Sequence, residues 1–339
     1  SVYVFNLRGN QRTSGELSRK EGGKIFGSGS RTPISITFLI KNPKKKGKAT
    51  ILYHDIGDYL SREQKLKKIS EFGSVDSSKL QWEIVAPNEK GDWINQRGGI
   101  FDSLILLGDK DDKKNKQTVF VPYYSCGLKT QRDSWCYNSS LDSLNFNMEQ
   151  ATAFYNKQRE LLTLGKIQDV IYDSTRISWT TNVLNAAKKN EIIPLDKIGE
   201  NSNCLYRPYF KQYGCYSRFW NERVYQLPKL FPTSKYKNLV ICVSGVGVTK
   251  DFSCIITDML PDLELIGKSQ CFPLYWYEEN KNKQQTLSLF DTESSDDYIR
   301  RDGITDWILK EVRTRFGNAR KITKETIFYY VYGLLHSPK

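Results

Sequence analysis

Residues 122–138, Pro-Tyr-Tyr-Ser-Cys-Gly-Leu-Lys-Thr-Gln-Arg-Asp-Ser-Trp-Cys-Tyr-Asn, hold the densest mixture of polar and aromatic side chains in the sequence. Lys129 and Arg132 are suited to phosphate, and Thr130, Gln131 and Asn138 can hydrogen-bond to phosphate or base edges, with Asp133 orienting Arg132. An internal reading competes: Arg132 and Asp133 as an ion pair, with Trp135 and Tyr137 in the core. Residues 221–228 (NERVYQLP) and 207–211 (RPYFK) have similar character.

Other chemistries find less support. The glycine pattern Phe26-Gly-Ser-Gly-Ser30 does not follow a strand and open a helix, and Gly245-Val-Gly247 lacks the spacing of a phosphate-cradling loop, so both read as turns. Asp111-Asp112 and Asp296-Asp297 sit in polar stretches with nothing to desolvate them. Residues 108–115 lack the glycine and distal glutamate of a calcium loop. Glu71 and Glu325 fall in helical patterns, not on the strand that a magnesium-dependent nuclease site needs. Seven cysteines show no C-x-x-C pair, and with only His54 and His336 a histidine-based metal or Ser–His–Asp site is disfavoured. The cysteines read as reduced, several of them as small core hydrophobes. No catalytic residue and no metal ligand is assigned.

Composition narrows the partner. Lys and Arg number 51 against 38 Asp and Glu, a net charge of +13, which favours a polyanion because neutralising phosphates releases condensed counterions. Aromatics at 13% suit backbone grip and base packing, although most rings in any domain are core. No apolar run is long enough to span a bilayer, and SVYVFNLRGN lacks the features of a secretory signal. It reads as a strand entering a turn, so Ser1 is not expected to be a natural start.

The elements follow from periodicity. Residues 2–7 read as a strand, 8–31 as a basic surface loop or short helix, 34–40 (ISITFLI) as a buried strand, and 49–53 as its hairpin partner across Lys44-Lys45-Lys46. Ser61 to Gln64 is a capping-box pattern opening a helix that ends before Gly73, with Leu66, Ile69 and Phe72 on one face. A second helix is expected over 147–164, with Gln150 at its third position and Gly165 as its stop. Strands are expected at 239–244 and 253–257, and helices near 305–316 and 324–336. The first of these helices carries Trp307, Ile308, Val312 and Phe316 on one face and stops at Gly317. The fold class is mixed α/β and α+β: a strand-rich N-terminal piece, then a larger α+β body.

KTQRDSWCYN (129–138) resembles the K-T-N-R-D-x-W-V-Y-N element of the type ISP restriction–modification family, single chains that join nuclease, helicase-like translocase, adenine methyltransferase and a C-terminal target-recognition domain. The resemblance continues through RPYF (207–210), NERVYQLPKLFP (221–232), residues 242–278 and ITKETIFYYVYGLLHSP (322–338). Residues 2–16, 20–42 and 53–66 resemble the end of that family's methyltransferase domain. The family's F-x-G-x-G and N-P-P-Y motifs are missing here and would lie upstream of Ser1. The resemblance therefore implies a chain cut inside the methyltransferase domain, with 1–75 its C-terminal remnant and 76–339 the recognition domain, 76–118 being open to service as a connector. Residues 34–53 would be the hairpin completing the methyltransferase sheet.

It also implies double-stranded DNA and the upstream methyltransferase and helicase domains as partners, in a bacterial cytoplasm. No cofactor is expected in this chain; S-adenosylmethionine, ATP and magnesium belong to the upstream domains. Arg8, Arg12, Arg19, Lys20 and Arg31, with Lys129, Thr130, Arg132 and Arg223, are the expected DNA-backbone contacts. The family's members read different sequences, so the residues carrying the resemblance are expected to be scaffold or phosphate contacts. Base readers are expected in 139–206 and 211–220: Arg176, Asn182, Lys188, Lys189, Lys211, Gln212, Arg218 and Trp220. Two rival readings stand: a self-contained DNA-modifying enzyme with an unrecognised site, and a basic module that docks RNA or protein.

Overall fold

A computed structural model describes all residues except 28, 45, 97, 112, 113, 115, 116, 249, 281–296, 317–321, 338 and 339. The helix stop at Gly317 and one member of each paired-acid motif, Asp112 and Asp296, therefore lie outside the described residues, as does Lys45 of the basic turn. The chain divides into two compact units, Ser1–Leu104 and Ile105–Lys339.

The first unit runs β1 (Val2–Arg8), α1 (Gly15–Glu21), β2 (Ile34–Leu39), β3 (Ile51–Asp55), α2 (Arg62–Phe72) and β4 (Glu83–Val85). Its sheet has the order β2-β1-β3-β4, with β1 antiparallel to β2 and parallel to β3. The expected hairpin of 34–40 with 49–53 is thus corrected, because β1 lies between them. Eleven residues separate β2 from β3, longer than a tight hairpin turn and enough to carry the chain past β1. Nor is β2 buried: it is an edge strand, and every residue after Ile34 is exposed. Phe5, Leu7, Ile56 and Leu80 form the core, with Ile69, Phe72 and Trp82 packed against them. Residues beyond 75 contribute to this unit through Leu80, Trp82 and β4, which pairs with β3.

Helix α2 starts where its capping box requires. The Ser61 side chain accepts from the Gln64 amide, and the Gln64 side chain accepts from the Ser61 amide at 2.7 Å. Its most buried residue is not one of the expected apolar positions. Lys65 is fully buried, donating to the carbonyls of Glu21 and Gly23 at 2.7 and 2.9 Å, while Leu66 is exposed.

The second unit begins with β5 (Ser125–Cys126), α3 (Asp133–Cys136), β6 (Tyr137–Asn138), α4 (Leu141–Thr163), α5 (Thr181–Lys188), β7 (Glu200–Arg207) and β8 (Phe210–Tyr216). It continues through α6 (Leu227–Leu230), β9 (Val240–Val243), β10 (Cys254–Thr257), β11 (Leu260–Pro261) and β12 (Gln270–Pro273), then β13 (Tyr275–Glu279), β14 (Tyr298–Asp302), α7 (Asp306–Arg315) and α8 (Lys324–Leu335). Two four-stranded sheets, β10-β9-β12-β5 and β11-β7-β8-β6, are accompanied by the β13-β14 ribbon. The architecture is mixed α and β, as expected.

Helix α4 starts six residues before the expected Asn147. Ser140 is the cap, its hydroxyl accepting from the Ser143 amide at 3.3 Å, and Asn147 with Gln150 only imitates a cap within the helix. Leu144, Met148, Ala151, Tyr155 and Gln158 then form one buried stripe at three- and four-residue spacing. On α7, Ile308 is buried and Trp307 and Val312 pack beside it, whereas Phe316 is exposed. The glycines at 245 and 247 serve a turn. A Cβ at Gly245 would overlap the Lys268 carbonyl, and Gly247 has φ +74°.

Candidate nucleic-acid interface

The segment 128–133 is built as a brace for three distant stretches of chain. Gln131, at φ 53°, turns the backbone so that the side chains on either side of it point inward. Thr130 and Arg132 are buried, 1% and 2% exposed. Arg132 donates from Nε to the Ser178 carbonyl at 3.2 Å, from Nη1 to the Trp220 carbonyl at 3.0 Å, and from Nη2 to the Thr180 hydroxyl at 2.6 Å. Burial lowers its pKa from the usual arginine value, and Glu222, 3.9 Å away, is the nearby counter-charge. The expectation that Thr130 and Arg132 contact the DNA backbone is therefore corrected, since neither presents a polar group to solvent. Arg132 does not pair with Asp133 either.

Asp133 belongs to a second network. It accepts from Thr130, and from Tyr206 at 2.9 Å. Arg207 lies 3.7 Å from it, stacks 3.8 Å over the Tyr206 ring, and donates to Asp262 at 2.7 Å. Tyr137 donates to the other Asp262 oxygen at 2.9 Å. Asp262 is 3% exposed, and burial pushes its pKa up to about 6, although the Glu264 amide, Tyr137 and Arg207 pull the other way. Four segments that carry the family resemblance (129–138, 207–210, 221–232 and 242–278) thus meet in two polar networks, one buried around Arg132 and one partly exposed around Arg207.

What these networks leave at the surface is a pair of cations. Lys129 and Arg223 face each other in an antiparallel bridge, each amide donating to the other's carbonyl at 3.0 Å. In such a pair the two side chains leave on the same face, about 5.5 Å apart at Cα. Among the described residues neither forms an ion pair. Like charges directly opposite are destabilising, so this arrangement costs stability unless an anion lies between them.

The remaining expected contacts are scattered. Arg8 is half-buried and ion-paired with Asp55 at 2.6 Å and with Asp58, so its charge is already neutralised. Arg12, Arg19 and Lys20 are exposed, Arg19 lying 3.6 Å from Glu16, and exposed Arg31 donates to the Gln11 carbonyl at 2.7 Å. Of the expected base readers, Trp220 is corrected: it is 1% exposed and packs against Tyr155 and Phe219 in the helical core. Asn182 is exposed but donates to Glu222 at 3.0 Å. Arg176, the adjacent Lys188 and Lys189, and Arg218 are exposed, while Lys211 and Gln212 are neighbours on β8 whose side chains leave on opposite faces. Among the described residues no group of three or more His, Cys, Asp or Glu side chains could hold a metal ion, and no helix is long and apolar enough to cross a membrane. All seven cysteines are free thiols.

With this geometry in view, comparison with known families is decisive. Residues 119–339 match the family described as the Type ISP C-terminal specificity domain. The chain belongs to that family. Its fold is similar to that of the ATP-dependent Type ISP restriction–modification enzyme LlaBIII bound to DNA, with a TM-score of 0.80, 34% identity, and coverage of 99% of this chain and 20% of that one. A nuclease-deletion mutant of the Type ISP enzyme LlaGI, in complex with a DNA substrate mimic, gives 0.76 and 33%, covering 99% and 24%. The DrdV–DNA complex gives 0.81 and 27%, covering 99% and 31%. The chain thus spans between a fifth and a third of the solved proteins it resembles. No curated protein matches it. The specificity-domain match begins at residue 119, one residue before the buried Phe120.

Sequence reasoning did not find the strands β7 and β8. ENSNCLYR and FKQYGCY mix Asn, Ser, Lys and Gln with few β-branched residues, so no alternating signal announces them. It also missed Tyr213, two residues from Lys211 on β8, and Asn203 and Asp258, which come near Lys211 only through that hairpin and the turn after β10.

Proposed function

We propose that this chain recognises a short site in duplex DNA as the specificity part of a type ISP restriction–modification enzyme, presenting that site to methylating and translocating domains of a longer polypeptide. The match of 119–339 to a specificity-domain family whose solved relatives are bound to DNA carries this reading. The facing cations Lys129 and Arg223 support it, as positions where a phosphate would relieve a like-charge repulsion. In the same reading Ser1–Leu104 is the end of a methyltransferase domain. S-adenosylmethionine, ATP and magnesium then act in domains beyond these residues, and the enzyme works in the bacterial cytoplasm.

The test is a salt series of duplex binding by the 339-residue chain. Affinity should fall steeply and linearly in log–log form between about 50 and 200 mM salt, and a selected site should bind ~10³-fold tighter than random duplex. Absence of duplex binding at low salt overturns the proposal. RNA competing as well as duplex DNA would favour a general polyanion-binding module. Cleavage of plasmid with magnesium, or methyl transfer from labelled S-adenosylmethionine, would instead mark a self-contained enzyme; neither is expected.

A further inference from the structure

The hairpin β7–β8 presents a concave polar surface separate from the facing cations Lys129 and Arg223. Asn203 stands directly opposite Tyr213, and Lys211 is two residues along from Tyr213, so the three side chains share one face of the hairpin. The turn between β10 and β11 brings Asp258 against them. Two adjoining cavities of about 460 and 420 Å³ share Asn203, Tyr213 and Asp258 in their walls, and the second also includes Lys211 and Gln212.

The polar groups of this hollow stand unpaired. Nearby side chains are engaged: Asn201 donates to Asn145 at 2.8 Å, and Glu200 accepts from the Ser234 amide at 2.7 Å. Among the described residues, the side chains of Asn203, Lys211, Tyr213 and Asp258 have no hydrogen-bond or ion-pair partner, although a cation and a carboxylate line the same hollow. They offer an amide, an ammonium, a phenol and a carboxylate. The amide matches the adenine edge, the ammonium the guanine edge, and the carboxylate an exposed amino group such as cytosine N4.

Asp258 separates base edges from backbone as the target. A carboxylate facing phosphates is repelled, whereas one facing base edges can accept from an amino donor such as cytosine N4. We propose that Asn203, Lys211 and Asp258 form the base-reading surface, entering the major groove as a two-stranded ribbon, with Asp258 contacting an amino group. This inference rests on the chain being a duplex-DNA reader.

Selection from a randomised duplex library by the 339-residue chain tests it, repeated with Asp258→Asn, Asn203→Asp and Lys211→Met. These positions are at least partly exposed, and circular dichroism checks each fold. Each variant should change the preferred base at one position of the site, shifting discrimination there by about 10–100-fold. Retention of the wild-type preferences by all three variants overturns the proposal. So does a uniform change in affinity for every sequence, which marks backbone contacts. If the wild-type chain itself binds no duplex, the DNA-reading function fails first and this surface with it.

Discussion

Arg132 donates from Nη1 to the carbonyl of Trp220 at 3.0 Å, and the two residues are 2% and 1% exposed. A guanidinium with a flat fork of donors can hold three carbonyls or hydroxyls at once, which a lysine ammonium on a flexible stem cannot reproduce. It ties the start of α3 to the segment before α5 and to the turn at 217–221. Arg132→Met should destabilise the second unit by about 3 kcal/mol or more, because several buried acceptors are left without a donor. Arg132→Lys should recover only part of this. Urea denaturation of both variants checks the difference.

Lys129 and Arg223 should behave in the opposite way. Lys129→Gln or Arg223→Gln removes one of two opposed charges, so stability should stay level or rise slightly. DNA affinity should drop for all sequences alike, with the salt slope smaller by about 1 for each phosphate no longer neutralised. Measuring both thermal stability and salt-dependent binding distinguishes this pair from Arg132.

Asp262 gives the second unit a pH signature. Its folded pKa of about 6 lies above the ordinary value of 3.8, mainly because burial disfavours the charged carboxylate. Its contribution is fully present below about pH 4 and is lost as pH rises through about 6. The stability of the wild type relative to Asp262→Asn should therefore fall between those limits, by about 3 kcal/mol at most. Denaturant titrations of both proteins at about pH 4.5, 5.5 and 7 measure it; a constant difference would show that Asp262 is ionised throughout.

Gly245 should tolerate no side chain. The Cβ of Gly245→Ala would overlap the Lys268 carbonyl, which is backbone and cannot swing aside. The variant should be less stable by about 2 kcal/mol or more. Ser61→Ala, which removes half of a capping box in the first unit, should cost about 1 kcal/mol. Thermal denaturation followed by circular dichroism measures both.

Local rules made some of this fold readable from the sequence. Ser61 and Gln64 cap α2 because their side chains reach amides three residues away, and such hydrogen bonds need no tertiary partner. The apolar runs at β9 and β10 and the periodic stripes of α7 and α8 declare themselves in the same way. Net charge of +13 pointed to a polyanion, and the resemblance around Lys129–Asn138 pointed to the family that residues 119–339 match.

Only tertiary structure decided which polar residues face water. Lys129, Thr130 and Arg132 are neighbours in sequence, yet one is at the surface and two are buried. Gln131 turns the chain there, and Thr180 and Trp220 arrive from 48 and 88 residues away to receive Arg132. The order β2-β1-β3 was likewise hidden, since a strand's pairing partner is chosen by long-range packing. Of the hollow around Asn203, Lys211 and Asp258, only Lys211 was a candidate from the sequence. Its walls come from separate segments of weak strand propensity, brought together by a hairpin that exists only once both strands are paired.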